Sequence, residues 1–163
     1  MKSIKQSKKF SHTTNDGRPQ MVNVSDKNIS KRTAKARAVV KLGEEIASRI
    51  RDEELTTKKG PVFQTAIVAG VMAAKKTHEL IPMCHPLALE DCQVRIHQKG
   101  GYAVIDTEVS ITAKTGVEME ALTAASVAAL TIYDMCKALS HDIIIEEIKL
   151  MEKRGGKNDY KRK

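Results

Sequence analysis

The stretch Cys92–Ile111, CQVRIHQKGGYAVIDTEVSI, decides the class of fold. Cys92, Val94 and Ile96 alternate with Gln93, Arg95 and His97, and Ala103, Ile105, Val109 and Ile111 alternate with Asp106, Glu108 and Ser110. A period of two sends successive side chains to opposite faces, so both halves read as half-buried strands. Gly100 and Gly101 between them suit a tight turn, which makes the pair an antiparallel hairpin.

On either side of this hairpin the apolar period becomes helical. Upstream, Pro61 suits a first helical turn, and Val62, Phe63, Ala66, Ile67, Ala69, Val71, Ala73 and Ala74 surround a helix ending at Lys75 and Lys76. A helix that is apolar all round is expected to be buried. Downstream, Thr115-Gly116-Val117-Glu118 has the spacing of a capping box and opens an Ala-rich helix to about Leu139, with a last strand from Ile143 to Met151. Near the start, MVNVSD (21–26) and ARAVVKL (36–42) read as short strands. Gly43 then opens an amphipathic helix through Ile46, Ile50 and Leu55, ending near Thr56. The order β, β, α, α, β, β, α, β predicts an α+β fold, with a mostly antiparallel sheet covered by helices on one face.

A chain of 163 residues that is 41% hydrophobic is long enough for one real core. The expected organisation is a mobile N-terminal segment over 1–20, one α+β domain over 21–157, and a basic tail over 158–163. The net charge of +8 suggests a nucleic-acid binder until it is located: the two ends, 1–9 and 153–163, hold +9 and residues 10–152 hold −1. Five aromatic residues, none grouped as a stacking platform, argue against a folded reader of nucleic acid. The internal basic run from Lys27 to Lys41 reads as a solvated face or an anion-binding surface. The basic N-terminus lacks an apolar core, and VFQTAIVAGVMAA falls short of the roughly 18 residues of a membrane span. Three cysteines without CxxC spacing fit a reducing compartment, so the cytoplasm is expected.

Three constellations could carry chemistry. His85 stands between Cys84 and Pro86 at the end of a buried helix, which reads either as a positioned functional imidazole or as a loop histidine satisfied by backbone. Cys84, His85, Cys92 and Cys136 lack paired ligand spacing, so no metal site is expected. Asp134 and Lys137 lie three apart on one face of the long helix among Leu130, Tyr133 and Cys136, which favours a half-buried pair with perturbed pKa values over a plain surface ion pair. At the other end of that helix, Glu118 and Glu120 flank Met119. Fourteen residues at 1.5 Å each put Glu120 roughly 21 Å from Asp134, so a shared site would need two subunits. Finally, Lys153-Arg154-Gly155-Gly156-Lys157 and Lys58-Lys59-Gly60 set lysines beside glycines, a pattern suited to a polyanion, though not the P-loop pattern.

Three longer segments carry a resemblance. KKGPVFQTAIVAGVMAAKKTHELIPMCHPLALEDCQV, TGVEMEALTAASVAALTIYDMCKAL and MEKRGGKND closely resemble the molybdenum cofactor biosynthesis protein C family, the cyclic pyranopterin monophosphate synthases, over about Met21 to Lys157. The resemblance implies a ferredoxin-like subunit, a homohexamer built as a trimer of dimers, and active sites at the dimer interface. It also implies a diphosphate-releasing lyase. The reaction converts 3′,8-cyclo-7,8-dihydro-GTP, made by a radical-SAM GTP cyclase, into cyclic pyranopterin monophosphate. No metal or organic cofactor defines the site, and whether Mg²⁺ accompanies the substrate triphosphate is left open by the sequence. Carried over motif by motif, Asp134, Lys137, Lys59 and His85 are the expected catalytic residues. Met83, Cys84, His85, Glu118, Met119, Glu120, Lys153 and Lys157 are the expected substrate contacts. The competing reading is a non-catalytic scaffold or RNA-associated protein acting through basic tails. On that contrast, nucleotide turnover is expected to survive removal of 1–9 and 158–163.

Overall fold

The computed structural model describes residues 16–163. The basic lysines of residues 1–9, and most of the segment expected to be mobile, lie outside the described residues. The elements are β1 (Ser30–Lys41), α1 (Glu44–Ala47), β2 (Thr56–Thr57), β3 (Gly60–Pro61), α2 (Val62–Lys75), α3 (Thr77–Leu80), β4 (Asp91–Lys99), β5 (Tyr102–Ala113), α4 (Glu118–Cys136), β6 (Ile144–Arg154) and β7 (Tyr160–Lys161). The main sheet runs β4-β5-β1-β6-β7 with every neighbouring pair antiparallel. Its core succession is β1-α2-β4-β5-α4-β6, and each helical crossover skips a strand, which is the split-βαβ form of an α+β fold.

The hairpin that set the class of fold stands as read, with Cys92 opposite Val109 and Ile96 opposite Ile105. Along β1 the parity of two separates Ala34, Ala36, Ala38 and Val40, all buried, from Lys35 and Arg37, which pair with Glu108 and Asp106 on the other face. The three alanines let α4 lie close to the sheet through its own buried Ala121, Ala124, Ala125, Ala128 and Ala129. Gly70 does the same between the helices: a Cβ there would stand 3.0 Å from the Ala124 carbonyl oxygen. Ile46, Leu55, Phe63, Ile105 and Ile132 fill the remaining core.

Four local expectations change. Residues 21–26 form no strand; a turn closes there through Lys27 N–H to Val24 O and Ser25 N–H to the Asn23 side chain. The helix from Gly43 stops after one turn, because the Arg51 guanidinium takes the Ser48 and Ile50 carbonyls and Asp52 and Glu53 turn left-handed, at φ 49° and 60°. The long helix begins at Glu118 with Val117 as N-cap and no side-chain cap, so no capping box forms at Thr115; Glu118 pairs instead with Lys153. Lastly, α2 is buried on one side only, leaving Val68 58% and Met72 56% exposed.

Candidate active site

One end of α4 points into a cleft of about 850 Å³, and the residues expected to contact substrate gather there. Met83, Cys84 and His85 come from the segment after α3, Glu118, Met119 and Glu120 from the first turn of α4, and Lys153 and Lys157 from the end of β6 and beyond. Lys153 reaches this face through a bulge. The pairing of β6 with β1 shifts between Lys35 and Ala36, which places Lys153 opposite Ala34 and on the helix-covered side of the sheet. With an unbroken register it would have faced the opposite side. There its ammonium meets Glu118 Oε1 at 3.0 Å.

Glu120 is the unusual group in the cleft. It is 4% exposed, and burial, reinforced by the neighbouring Glu118 carboxylate and opposed by a backbone hydrogen bond, pushes its carboxyl up to about 7. Burial, with the Glu120 charge, also pushes the Cys84 thiol up. His85 Nε2 lies 2.9 Å from Val22 O, so the strap 21–29 fixes the ring from the other wall. Both readings of this histidine therefore hold together: it is backbone-bonded, and it lines the cleft. Lys114 anchors the same strap through Ser25 O at 2.6 Å.

Lys27 and Arg32, singled out in the sequence only as part of a basic run with two readings, and Lys114, not singled out at all, bring further positive charge to the cleft. Arg32 had a signal. It shares the parity of Ala34, Ala36 and Ala38, so a basic side chain at that position belongs to the helix-covered face rather than to the solvated face that Lys35 and Arg37 occupy.

The expected catalytic residues Lys59, Asp134 and Lys137 form a second cluster outside this cleft. Asp134 Oδ2 accepts from Lys59 Nζ and its Oδ1 from Lys137 Nζ, each at 2.7 Å, and Lys59 also donates to Asp134 O at 3.1 Å. These two hydrogen bonds, Lys137 first, hold the Asp134 carboxyl down at about 2, and Asp134 raises Lys137 in return. Asp134 and Lys137 are thus an exposed ion pair and not the half-buried one expected from their apolar neighbours, and their perturbation comes from mutual pairing rather than burial. The β2–β3 hairpin presents Lys59, with Thr57 opposite Gly60 at the turn. Glu54 secures that hairpin: its carboxylate accepts from Leu55, Phe63 and Gln64 N–H, which ties the start of α2 to the chain leading into β2. Among the described residues, no three of the His, Cys, Asp and Glu side chains converge as metal ligands, and no helix is long and apolar enough to cross a membrane.

Residues 21–156 match the MoaC family. The chain is 49% identical over 154 residues to a cyclic pyranopterin monophosphate synthase of Xanthomonas campestris pv. campestris (strain B100), covering 94% of this chain and 93% of that one. It is 48% identical over 167 residues to molybdenum cofactor biosynthesis protein 1 of Dictyostelium discoideum, covering 91% of this chain but 26% of that one. Against a molybdenum cofactor biosynthesis bifunctional protein of Synechocystis it is 48% identical over 155 residues, covering 92% of this chain and 45% of that one. The match runs from the strap over the cleft to the glycines beside Lys157 and takes in both charged clusters: the chain belongs to the MoaC family.

Proposed function

We propose that the chain is a cyclic pyranopterin monophosphate synthase that converts 3′,8-cyclo-7,8-dihydro-GTP into cyclic pyranopterin monophosphate with release of diphosphate. The observation that carries this reading is the cleft itself. It sets the basic side chains Lys27, Arg32, Lys114, Lys153 and Lys157 around a buried carboxyl, Glu120, that exchanges its proton near neutrality. The cations suit a triphosphate, offsetting the charge that grows on diphosphate as a substrate hydroxyl attacks the first phosphorus and the bond to the leaving oxygen breaks. Rearranging a purine into a pterin also requires protons to be moved at ring atoms. A carboxyl near 7 can give or take one at neutral pH, and His85 stands in the same cleft.

The second cluster has a different part. With its carboxyl at about 2, Asp134 is ionised at neutral pH and is a weak base, so its contribution is to orient two ammonium groups. Lys137, raised by that carboxylate, stays cationic and serves as a proton donor or as a stabiliser of developing negative charge. Lys59 shares the carboxylate and belongs to the same task.

The two clusters stand at opposite ends of α4, with Glu120 and Asp134 roughly 21 Å apart along the axis. A single subunit cannot close both around one small molecule. The reading is therefore a homohexamer, a trimer of dimers, in which the cleft of one subunit receives Lys59, Asp134 and Lys137 of its neighbour. Exposed apolar side chains on the two long helices, Val68 and Met72 on α2 and Leu130 on α4, support association. No cofactor is assigned, and Mg²⁺ accompanies the triphosphate if it takes part. The substrate comes from a radical-SAM GTP cyclase, and the place of work is the cytoplasm; the bifunctional Synechocystis relative supports a pathway partner. The scaffold or RNA-associated reading loses its C-terminal half, because Lys153 and Lys157 line the cleft.

Incubation with 3′,8-cyclo-7,8-dihydro-GTP tests the proposal. Stoichiometric pterin and diphosphate are expected; a folded, oligomeric sample that releases neither refutes it.

A further inference from the structure

The C-terminal residues are not a free basic tail. Tyr160 and Lys161 form β7 opposite Lys153 and Glu152 of β6. Arg162 N–H donates to Met151 O at 2.8 Å, its Nε donates to Leu150 O at 2.9 Å, and its guanidinium lies over the Tyr160 ring, 5.9 Å from the centroid. The chain between β6 and β7 is thus a closed loop, and its first half, Gly155-Gly156-Lys157, forms part of the cleft wall.

One residue of that loop is held on three sides. Gly155 N–H donates to Asp159 Oδ1 at 3.0 Å, and Ser30 Oγ donates to Gly155 O at 2.8 Å. Its backbone is left-handed, at φ +82°, and a Cβ there would collide with the Lys31 carbonyl oxygen of β1. Asp159 supplies the only one of these restraints that comes from beyond Lys157. It does not line the cleft.

We infer that Asp159 is a positioning residue for the polyanion end of the site: by fixing Gly155 it sets where the Gly156 backbone and the Lys157 ammonium meet the substrate's phosphates. This rests on the triphosphate reading of the cleft given above. The effect has an unusual sign. A carboxylate near a polyanion opposes binding through its charge, whereas a carboxylate that orders the anion-gripping loop favours it. Charge and geometry therefore make opposite forecasts for the same substitution. Removing residues 158–163 takes away Asp159 together with β7, so substrate affinity is expected to fall on deletion while turnover continues.

The test compares wild type with Asp159→Ala and Asp159→Asn, measuring kcat and KM for 3′,8-cyclo-7,8-dihydro-GTP and competitive inhibition by inorganic tripolyphosphate. Asp159→Ala is expected to raise KM and the tripolyphosphate inhibition constant about tenfold with kcat within about twofold of wild type. Asp159→Asn keeps the Oδ1 acceptor and drops the charge, so both constants are expected to return to the wild-type value or below it. Unchanged constants in Asp159→Ala, a fall in both variants as charge alone would give, or a loss confined to kcat would each overturn the inference. A wild-type protein that neither turns over the intermediate nor binds tripolyphosphate would overturn the functional reading with it. Normal wild-type turnover with an unaffected Asp159→Ala overturns the positioning role alone.

Discussion

Glu120→Gln is the substitution whose consequences the structure specifies most fully. The carboxyl is nearly inaccessible at the start of α4, and burial lifts it from an ordinary 4.5 to about 7, with Glu118 adding to the lift. The folded chain therefore binds this proton more tightly than the unfolded chain. That contribution to stability is fully present below pH 4.5 and is lost as the pH rises through 7. At 1.36 kcal/mol per pH unit, the separation amounts to about 3 kcal/mol. Glutamine preserves shape and hydrogen bonding but cannot titrate. Urea unfolding of both proteins at fixed protomer concentration between pH 4.5 and 8 isolates the group, because every other titration cancels in the difference. The stability of wild type relative to Glu120→Gln is expected to drop by about 3 kcal/mol across that range. The limb near pH 7 in the wild-type profile of kcat/KM is expected to vanish in the variant. Parallel stability curves would mean that Glu120 ionises as it does in water, and its role as the neutral-pH proton carrier would fall with them.

Four other substitutions probe the rest of the site. Asp134→Asn and Lys137→Ala are expected to cut turnover at least a hundredfold while moving the melting temperature little, since the pair is exposed; near-normal kcat in both refutes the assignment. Lys153→Ala, measured by calorimetry in the Asp134→Asn background, is expected to weaken binding of the cyclised intermediate by about 1.5 kcal/mol, about tenfold, and unchanged affinity would reduce Lys153 to a partner of Glu118. Glu54→Ala removes the acceptor for three N–H groups at the root of the Lys59 hairpin and is expected to cost about 1 to 2 kcal/mol in urea unfolding together with some activity; no change in either would deny Glu54 its hold on that hairpin.

What the sequence made legible, and what it hid, follows from how local each signal is. The 92–111 hairpin and the two long helices depend on alternation, a Gly-Gly turn and apolar periodicity, all of which act between neighbours in the chain. MVNVSD misleads because Val22 and Val24 alternate to line a cleft rather than to pair with a strand. The helix after Gly43 fails for a reason that periodicity does not contain, the capture of two carbonyls by Arg51. The site divides in the same way. LIPMCHPL and GVEMEAL brought their residues to one cleft, and the joining of Lys59 to Asp134 and Lys137 follows from motifs far apart in sequence. Arg32 and Lys114 were hidden in a basic run and a turn, and only the strand parity and the end of α4 show which way that charge faces. The bulge that turns Lys153 into the cleft depends on pairing between two strands more than a hundred residues apart. The basic tail, likewise, is a strand only because β6 offers it an edge.

The central claim is that one reaction is carried out by two charged clusters contributed by different subunits, and mixing inactive subunits tests it most directly. Glu120→Ala and Asp134→Ala proteins, unfolded together in equal amounts and refolded, form mixed dimers in which one site pairs an intact cleft with an intact Asp134 cluster. Random assembly makes about a quarter of all sites wild type, so turnover of 3′,8-cyclo-7,8-dihydro-GTP is expected to recover to about a quarter of the wild-type rate. A refolded mixture no more active than its two parents would contradict the account.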